Sequence, residues 1–350
     1  MSEYTVSKVY KSDRKANAAV EKLLLNEGIR RDKNLDYTCA VYDEDYNVIA
    51  TGSCFGNTLR CMAVSHEHQG EGLMNEIVSH LVQYEYAKKI YHLFLYTKCD
   101  SAKFFGDLGF YEIVRIEDQI VFMENSRTGF NDYLERLAKN KINGRKIAAL
   151  VLNANPFTLG HQYLIENAAG ENDFLHVFIV SEDASLVPFE IRKKLIMEGT
   201  SHLKNLIYHD TGQYIISNAT FPSYFQKDDR AVIESHANLD LSVFVKIAKV
   251  LGINSRYVGE EPQSLVTGIY NEIMNKKLPE HGINCVIVPR KTDGENGKVI
   301  SASDVRQAIK NGNFDKLKNL VPESTYKFFT SPDAESIIEK IKSTDDVKHY

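Results

Sequence analysis

No stretch of the chain comes near the roughly 18 uninterrupted apolar residues of a membrane span, so a membrane protein is not expected. The start, MSEYTVSKVYKSDRK, lacks the apolar centre of a secretory signal. Cysteine is scarce: Cys39, Cys54, Cys61, Cys99 and Cys285 are odd in number and form no C-x-x-C pair. That excludes a disulfide frame and a structural zinc site, and it points to reduced thiols in the cytoplasm. Positive charge is in deficit, 42 Lys and Arg against 47 Asp and Glu, for a net charge of −5. A general nucleic-acid coat is thereby excluded, though a local basic pocket is not. There is no internal repeat, no low-complexity tract and no carboxylate cluster that would mark a protein-only metal site. What is present is ordinary globular material, 43% hydrophobic and 25% charged over 350 residues. At roughly 150 residues per domain, this length predicts about two domains.

The two parts differ in rhythm. Residues 1–125 carry short strands at Tyr37–Tyr42, Val48–Cys54, Leu59–Val64, Tyr91–Tyr96, Gly109–Arg115 and Gln119–Met123. Helices are predicted from an Asp13 cap to Glu27 and over Gly72–Lys89, where Leu73, Ile77, Leu81 and Tyr84 recur at helical spacing. The segment 126–145, polar at first and then a short helix Phe130–Lys139, reads as a connector. From Lys146 to the end, strand and helix alternate. The apolar run Lys146–Leu152 has the pattern of a strand buried on both faces of a parallel sheet. Strands follow at Phe174–Val180, Asn205–His209, Tyr257–Gly259 and Asn284–Val288, with helices at Glu190–Gly199, Lys227–Leu251, Ser264–Lys277 and Ser303–Lys310. A doubly wound, Rossmann-like α/β domain is expected, with its ligand outside the carboxyl ends of the strands. Ala334–Tyr350 reads as an amphipathic helix with a charged end.

The sharpest signal is Asn153–His161, NANPFTLGH, between the buried strand and a helix start. The first helical turn offers unpaired N–H groups and partial positive charge to an anion. Gly160 would let a phosphate come close to the backbone, and Thr158 and His161 could touch the same phosphate from one turn. The competing reading is a Thr158 helix cap beside a structural histidine. Late in the chain stands Ile300-Ser301-Ala302-Ser303-Asp304-Val305-Arg306. There Ser301 or Ser303 caps a helix, and its free N–H groups together with Arg306 suit phosphate binding.

The first segment resembles the T/H-x-G-H motif of the nucleotidyltransferase superfamily, and the second resembles that superfamily's I-S-S/T-x-x-x-R motif. NANPFTLGHQYLIE, VPFEIRKKLI, VGEEP and VPRK…VISASDVR together resemble the citrate lyase ligase family. The resemblance implies an ATP-dependent ligase that turns acetate into acetyl-adenylate and pyrophosphate. The acetyl group would then pass to the thiol of a dephospho-coenzyme-A-derived prosthetic group on the acyl carrier subunit of citrate lyase. In that scheme Thr158 and His161 contact the ATP phosphates, and Ser301, Ser303 and Arg306 hold the leaving pyrophosphate. Arg192 either reaches the phosphates or is a solvated arginine beside Lys193 and Lys194. Arg290 and Lys291 either pair with phosphate or decorate a loop. Gly259 and Glu260 border the adenosine, and Asn153, Asn155 and Phe157 line the nucleotide or substrate side. Mg²⁺ would arrive on ATP.

Residues 59–116 resemble the GCN5-related N-acetyltransferase (GNAT) layout of strand, loop and helix. The loop SHEHQGEG, with Gly70 and Gly72, would offer N–H groups to a coenzyme-like arm. Glu67 stands where Gln or Arg is usual, and Phe105 stands where the family has a tyrosine acid; a phenyl ring cannot donate a proton. A cradle for the carrier's arm is therefore expected rather than a free-standing acetyltransferase. His66 and His68 read as solvated, and the Tyr84–Tyr96 aromatics as packing. Two rival functions remain at this point: a small-molecule nucleotidyltransferase that adenylates a pantetheine-like phosphate, and a non-catalytic coenzyme A or nucleotide sensor.

Overall fold

The computed structural model describes residues 4–182, 184–215, 229–260, 265–292, 297 and 299–345. The chain divides into two compact units. The first runs to Asp132 and includes helical residues up to Leu239, and the second comprises the rest.

In the first unit the elements in chain order are strand β1 (Ser7–Lys8), helix α1 (Arg14–Asn26) and strands β2 (Tyr37–Tyr42), β3 (Val48–Phe55) and β4 (Thr58–Val64). Helix α2 (Leu73–Ala87), strand β5 (Phe94–Thr97), helix α3 (Ala102–Asp107) and strands β6 (Tyr111–Ile116) and β7 (Ile120–Glu124) follow, and helix α4 (Gly129–Ala138) spans the division. The sheet order is β1-β2-β3-β4-β5-β7-β6, antiparallel except where β4 lies beside β5. That parallel pairing is confined to Thr58 with Phe94 and Leu59 with Leu95, so β4 leaves β5 before reaching the loop at 65–72. The strand period of two places Cys39 and Val41 in a core with Leu73, Ile77 and Leu81 of α2. Ala40 falls in a second core, with Val20, Leu23 and Leu24 of α1. Both faces of the sheet are covered, which is why β2 is buried almost throughout. Asp13 caps α1 as expected, accepting from the Ala16 N–H at 2.9 Å. The strand expected from Tyr91 begins only at Phe94, because the Leu93 N–H donates to Asn125 Oδ1 at 2.8 Å instead of to a ladder.

In the second unit, strand β8 (Ile147–Leu152) leads to helix α5 (Leu159–Glu171), strand β9 (Phe174–Ile179), helix α6 (Phe189–Gly199) and strand β10 (Leu206–Asp210). Helix α7 (Asp229–Leu251) crosses the division at Leu239. Strand β11 (Ser255–Gly259), helix α8 (Leu265–Lys277), strand β12 (Asn284–Val288) and helices α9 (Ala302–Lys310), α10 (Phe314–Lys318), α11 (Glu323–Phe329) and α12 (Glu335–Ser343) complete it. All five strands are parallel, in the order β10-β9-β8-β11-β12. The order reverses at β8, so the crevice of a doubly wound sheet lies at the carboxyl ends of β8 and β11. One apolar core ties Ala148, Leu150 and Leu152 to Ile165 of α5, Val305 of α9 and Ile341 of α12. α12 buries Ile337 and Ile341 as an amphipathic helix, and the expected end at 346–350 lies outside the described residues. No described helix is long and apolar enough to cross a membrane.

Candidate active site

β8 ends at Leu152, and α5 opens after its N-cap Thr158. Thr158 Oγ1 accepts from the His161 N–H at 3.2 Å, and His161 Nδ1 accepts from the Thr158 N–H at 3.1 Å. This closes a capping box in which a histidine replaces the usual Glu or Gln. The box has a chemical consequence. Because Nδ1 must accept a backbone N–H, the neutral imidazole carries its proton on Nε2. Burial, reinforced by the charges of Arg290 and Arg306, pushes the ring's pKa down to about 3. Near neutral pH His161 is therefore an uncharged Nε2–H donor. Phe157, fully buried, holds the ring by stacking at a centroid distance of 6.1 Å and an interplanar angle of 13°. The cap reading and the phosphate reading of Thr158 and His161 are thus compatible, since the cap fixes the tautomer a phosphate donor needs.

The second motif meets the first directly. Ser301 caps α9, accepting from the Asp304 N–H at 3.1 Å while its hydroxyl donates to Asp304 Oδ2 at 2.8 Å. Arg306 is 3% exposed. Its Nη1 donates to the Asn155 carbonyl at 2.6 Å and its Nη2 to Ser303 Oγ at 3.2 Å. A Cβ added at Gly160 would stand 3.0 Å from the Ile300 carbonyl oxygen. The backbone before Ser301 thus crowds Gly160, and a side chain there would press on that carbonyl.

Arg192 also departs from expectation. It is fully buried, and its guanidinium donates to the carbonyls of Val187 (3.0 Å), Asn153 (2.8 Å), Val180 (2.8 Å) and Glu182 (2.6 Å). It is neither solvated nor directed at a phosphate. It ties the end of β9 and the loop after it to the strand–helix corner. Asn153 is held in the same way, its Nδ2 donating to Ser185 Oγ at 3.0 Å. Asn155 Oδ1 accepts from the Val187 N–H at 3.0 Å. Sequence reasoning passed over Ser185, which no motif marks, and gave no role to Val187, the first residue of VPFEIRKKLI. Lys340 of α12, whose Nζ donates to the Ser185 carbonyl at 3.2 Å, carried no signal either.

At the end of β11, the Glu260 N–H donates to the Val288 carbonyl at 2.8 Å, and Arg290 Nε donates to the Glu260 carbonyl at 2.5 Å. Arg290 packs over Gly259, where an added Cβ would stand 3.5 Å from its Nε. The structure thus gathers Gly259, Glu260 and Arg290, and the Arg290 charge acts on His161. The Lys291 ammonium lies 5.8 Å from the centre of the Tyr163 ring on α5, and the Lys291 carbonyl accepts from the Ile300 N–H at 3.0 Å. Among the described residues no three His, Cys, Asp or Glu side chains are grouped to hold a metal ion.

The first unit's loop is built differently. Gly70 and Gly72 have φ of +91° and +81°, and no atom lies within 4 Å of a Cβ added at either. Gly72 begins α2 without a side-chain cap. Phe105 is buried in the α2-side core. His68 Nδ1 sits 3.2 Å from Glu71 Oε1, and the His66 N–H donates to Glu27 at 3.0 Å, both at the surface.

Comparison with known proteins identifies the family. The family described as the citrate lyase ligase C-terminal domain matches residues 147–329. The citrate (pro-3S)-lyase ligase of Haemophilus influenzae is 36% identical over 323 residues, 91% of this chain and 96% of that protein. The ligase of the same name from Escherichia coli is 36% identical over 328 residues, 92% of each. A crystal structure of a GNAT-family acetyltransferase from Staphylococcus aureus aligns at TM-score 0.30 and 14% identity, covering 35% of this chain and 99% of that one. The family match and these relatives, rather than that superposition, settle the identity: this chain belongs to the citrate lyase ligase family.

Proposed function

We propose that the protein is an ATP-dependent ligase that activates acetate and acetylates the prosthetic-group thiol of the citrate lyase acyl carrier subunit. The observation that carries this reading is the meeting of the two phosphate motifs, joined by Arg306 on the Asn155 carbonyl and by Gly160 against Ile300. The resulting corner presents two capped helix starts, α5 and α9, with a neutral histidine donor and buried arginine charge between them. Helix N-termini and arginine suit a polyphosphate. A neutral Nε2–H can strengthen its hydrogen bond as negative charge builds on the α-phosphoryl oxygens.

In the first half-reaction an acetate oxygen forms a bond to the α-phosphorus, and the bond to pyrophosphate breaks. His161 would hold the α-phosphoryl oxygens, while Ser303, Arg306 and the α9 N-terminus would hold the departing pyrophosphate. In the second half-reaction the carrier thiol, losing its proton, attacks the acetyl carbon and AMP leaves. The residues present fit Mg²⁺ only as an ion carried on ATP, because no acidic cage among the described residues would hold it alone. When bound, it would neutralise phosphate charge. Thr158, Asn153 and Arg192 act here as positioning groups. The Gly70–Gly72 loop would cradle the coenzyme-like arm, with its open glycine N–H groups toward the diphosphate. Phe105 cannot supply a proton, so the thiol would be acylated from the adenylate rather than from acetyl-coenzyme A.

The test is exchange of labelled pyrophosphate into ATP with Mg²⁺ and purified protein. Exchange that requires acetate supports the reading. Absence of exchange, with the carrier subunit also present, would direct attention to adenylation of a pantetheine-like phosphate.

A further inference from the structure

Asn155 stands at the centre of the corner, and its side chain is only half satisfied. It is 4% exposed. Its Oδ1 accepts from the Val187 N–H at 3.0 Å, which fixes the orientation of the amide and identifies the other terminal atom as Nδ2. That Nδ2 is buried and has no hydrogen-bond partner. Its neighbour Asn153 shows the contrast, because its amide is engaged by Ser185 on both sides, at 3.0 and 3.3 Å. Buried side-chain donors are normally paired, and an orphan in a native structure calls for an explanation. The backbone carbonyl of the same residue is held by Arg306, and the side chain cannot turn away without breaking the Val187 bond to Oδ1.

We infer that Asn155 Nδ2 is the donor that receives a carboxylate oxygen of the small acyl substrate, making Asn155 a specificity-determining residue for carboxylate activation. This rests on the acetate-activating reading above. The missing partner must present an acceptor atom, which a carboxylate oxygen is. It must also be small, because the atom is buried. The surroundings suit a methyl group: Ala154, Phe157, Leu186 and Val187 of the same two loops belong to the apolar core. A neutral amide serves this role better than a cation. It orients the carboxylate without forming the tight ion pair that would hold the attacking oxygen in its ground state. The arginines and helix termini then remain for the phosphates.

The substitution Asn155→Asp keeps the oxygen that the Val187 N–H needs and replaces only the NH₂. Pyrophosphate exchange is measured at varied acetate and at varied ATP, with thermal melting alongside. N155D should raise the acetate KM at least 30-fold, leave the ATP KM within about threefold, and melt near the wild-type temperature. Acetamide, tested as a competitive inhibitor, should gain on acetate in N155D, because its NH₂ can donate where acetate cannot. If the acetate KM is unchanged, or if only the ATP KM rises, the inference is overturned while acetate activation stands. If the wild type itself shows no acetate-dependent exchange, both fall. If N155D melts far below the wild type, Asn155→Ser decides: it too should raise the acetate KM selectively, and an unselective loss would overturn the assignment.

Discussion

The two units each place a loop before a helix where phosphate could bind, and they build those loops in opposite ways. Around Thr158 and His161, every turn of backbone is tied: Arg192 to four carbonyls, Arg306 to Asn155, Gly160 against Ile300, and the histidine into its own helix cap. Around Gly70 and Gly72 nothing packs within 4 Å of the missing side chains, and the helix start is uncapped. A site that stabilises developing charge must be fixed before the charge appears. A cradle that admits and releases the arm of a carrier benefits from open backbone. The difference fits bond-making chemistry in the second unit and docking in the first.

The largest effect should come from His161→Ala. Removing a prearranged donor to a transition-state oxyanion costs about 10²–10³ in rate. Pyrophosphate exchange should fall by about that factor, while acetyl transfer from chemically supplied acetyl-adenylate to the carrier stays close to wild type. If both half-reactions fell together, the division of labour between the units would be wrong.

Arg192→Ala should break stability rather than nucleotide affinity. It leaves four carbonyls in the β9 loop and corner without their cationic donor. Buried groups stripped of charged partners cost about 1–3 kcal/mol each and are not additive, so a loss of about 3 kcal/mol or more is expected. Thermal melting should show it, and Arg192→Lys should not restore it, because an ammonium cannot reproduce the fork. An unchanged melting temperature with a raised ATP KM would return Arg192 to the phosphates.

The glycines give the most direct contrast. Gly160→Ala introduces a Cβ 3.0 Å from the Ile300 carbonyl and pries the two motifs apart, so exchange should drop by about tenfold or more. Gly70→Ala and Gly72→Ala meet no neighbour but force a non-glycine residue to positive φ, at about 1 kcal/mol each. They should leave exchange intact and slow acetyl transfer to the carrier. Wild-type transfer in both loop variants would refute the cradle.

Much of this was legible in the sequence, and the exceptions have a common cause. The parallel strands were readable because burial on both faces writes them as continuous apolar runs, as in Ile147–Leu152. Thr158 and His161 were readable because their partnership closes within one helical turn, and Ser301 capped α9 for the same reason. What failed to show were partnerships with backbone atoms of distant segments. Arg192 looks like one cation of a surface RKK run until its four carbonyl partners are in place. Nothing in the sequence shows that Gly160 also lies against the Ile300 carbonyl. The start of β5 was misplaced because Asn125 takes the Leu93 N–H. The short helices α10 and α11 are too brief to display a period, and the half-satisfied amide of Asn155 has no sequence signature at all.

The last contrast separates the units by pH. In the second unit His176 and His209 are buried side by side on β9 and β10, with Nδ1 and Nε2 2.7 Å apart. Burial lowers both pKa values, and for His209 the neighbouring His176 adds to the effect. A histidine with a depressed folded pKa binds fewer protons when native than when unfolded. Stability must therefore fall as pH drops below the ordinary histidine value near 6.5, and it is unaffected above that value. Each such histidine contributes at most about 1.4 kcal/mol per pH unit. In the first unit burial also lowers the pKa of His80, which is only partly buried. Hydrogen exchange at pH 5 against pH 7.5 should show β9 and β10 losing protection before β2 and β3. The double substitution His176→Gln and His209→Gln should flatten that difference. If β2 and β3 opened first, the buried histidine pair would not be the acid-sensitive element, and the rigidity of the second unit would need another boundary.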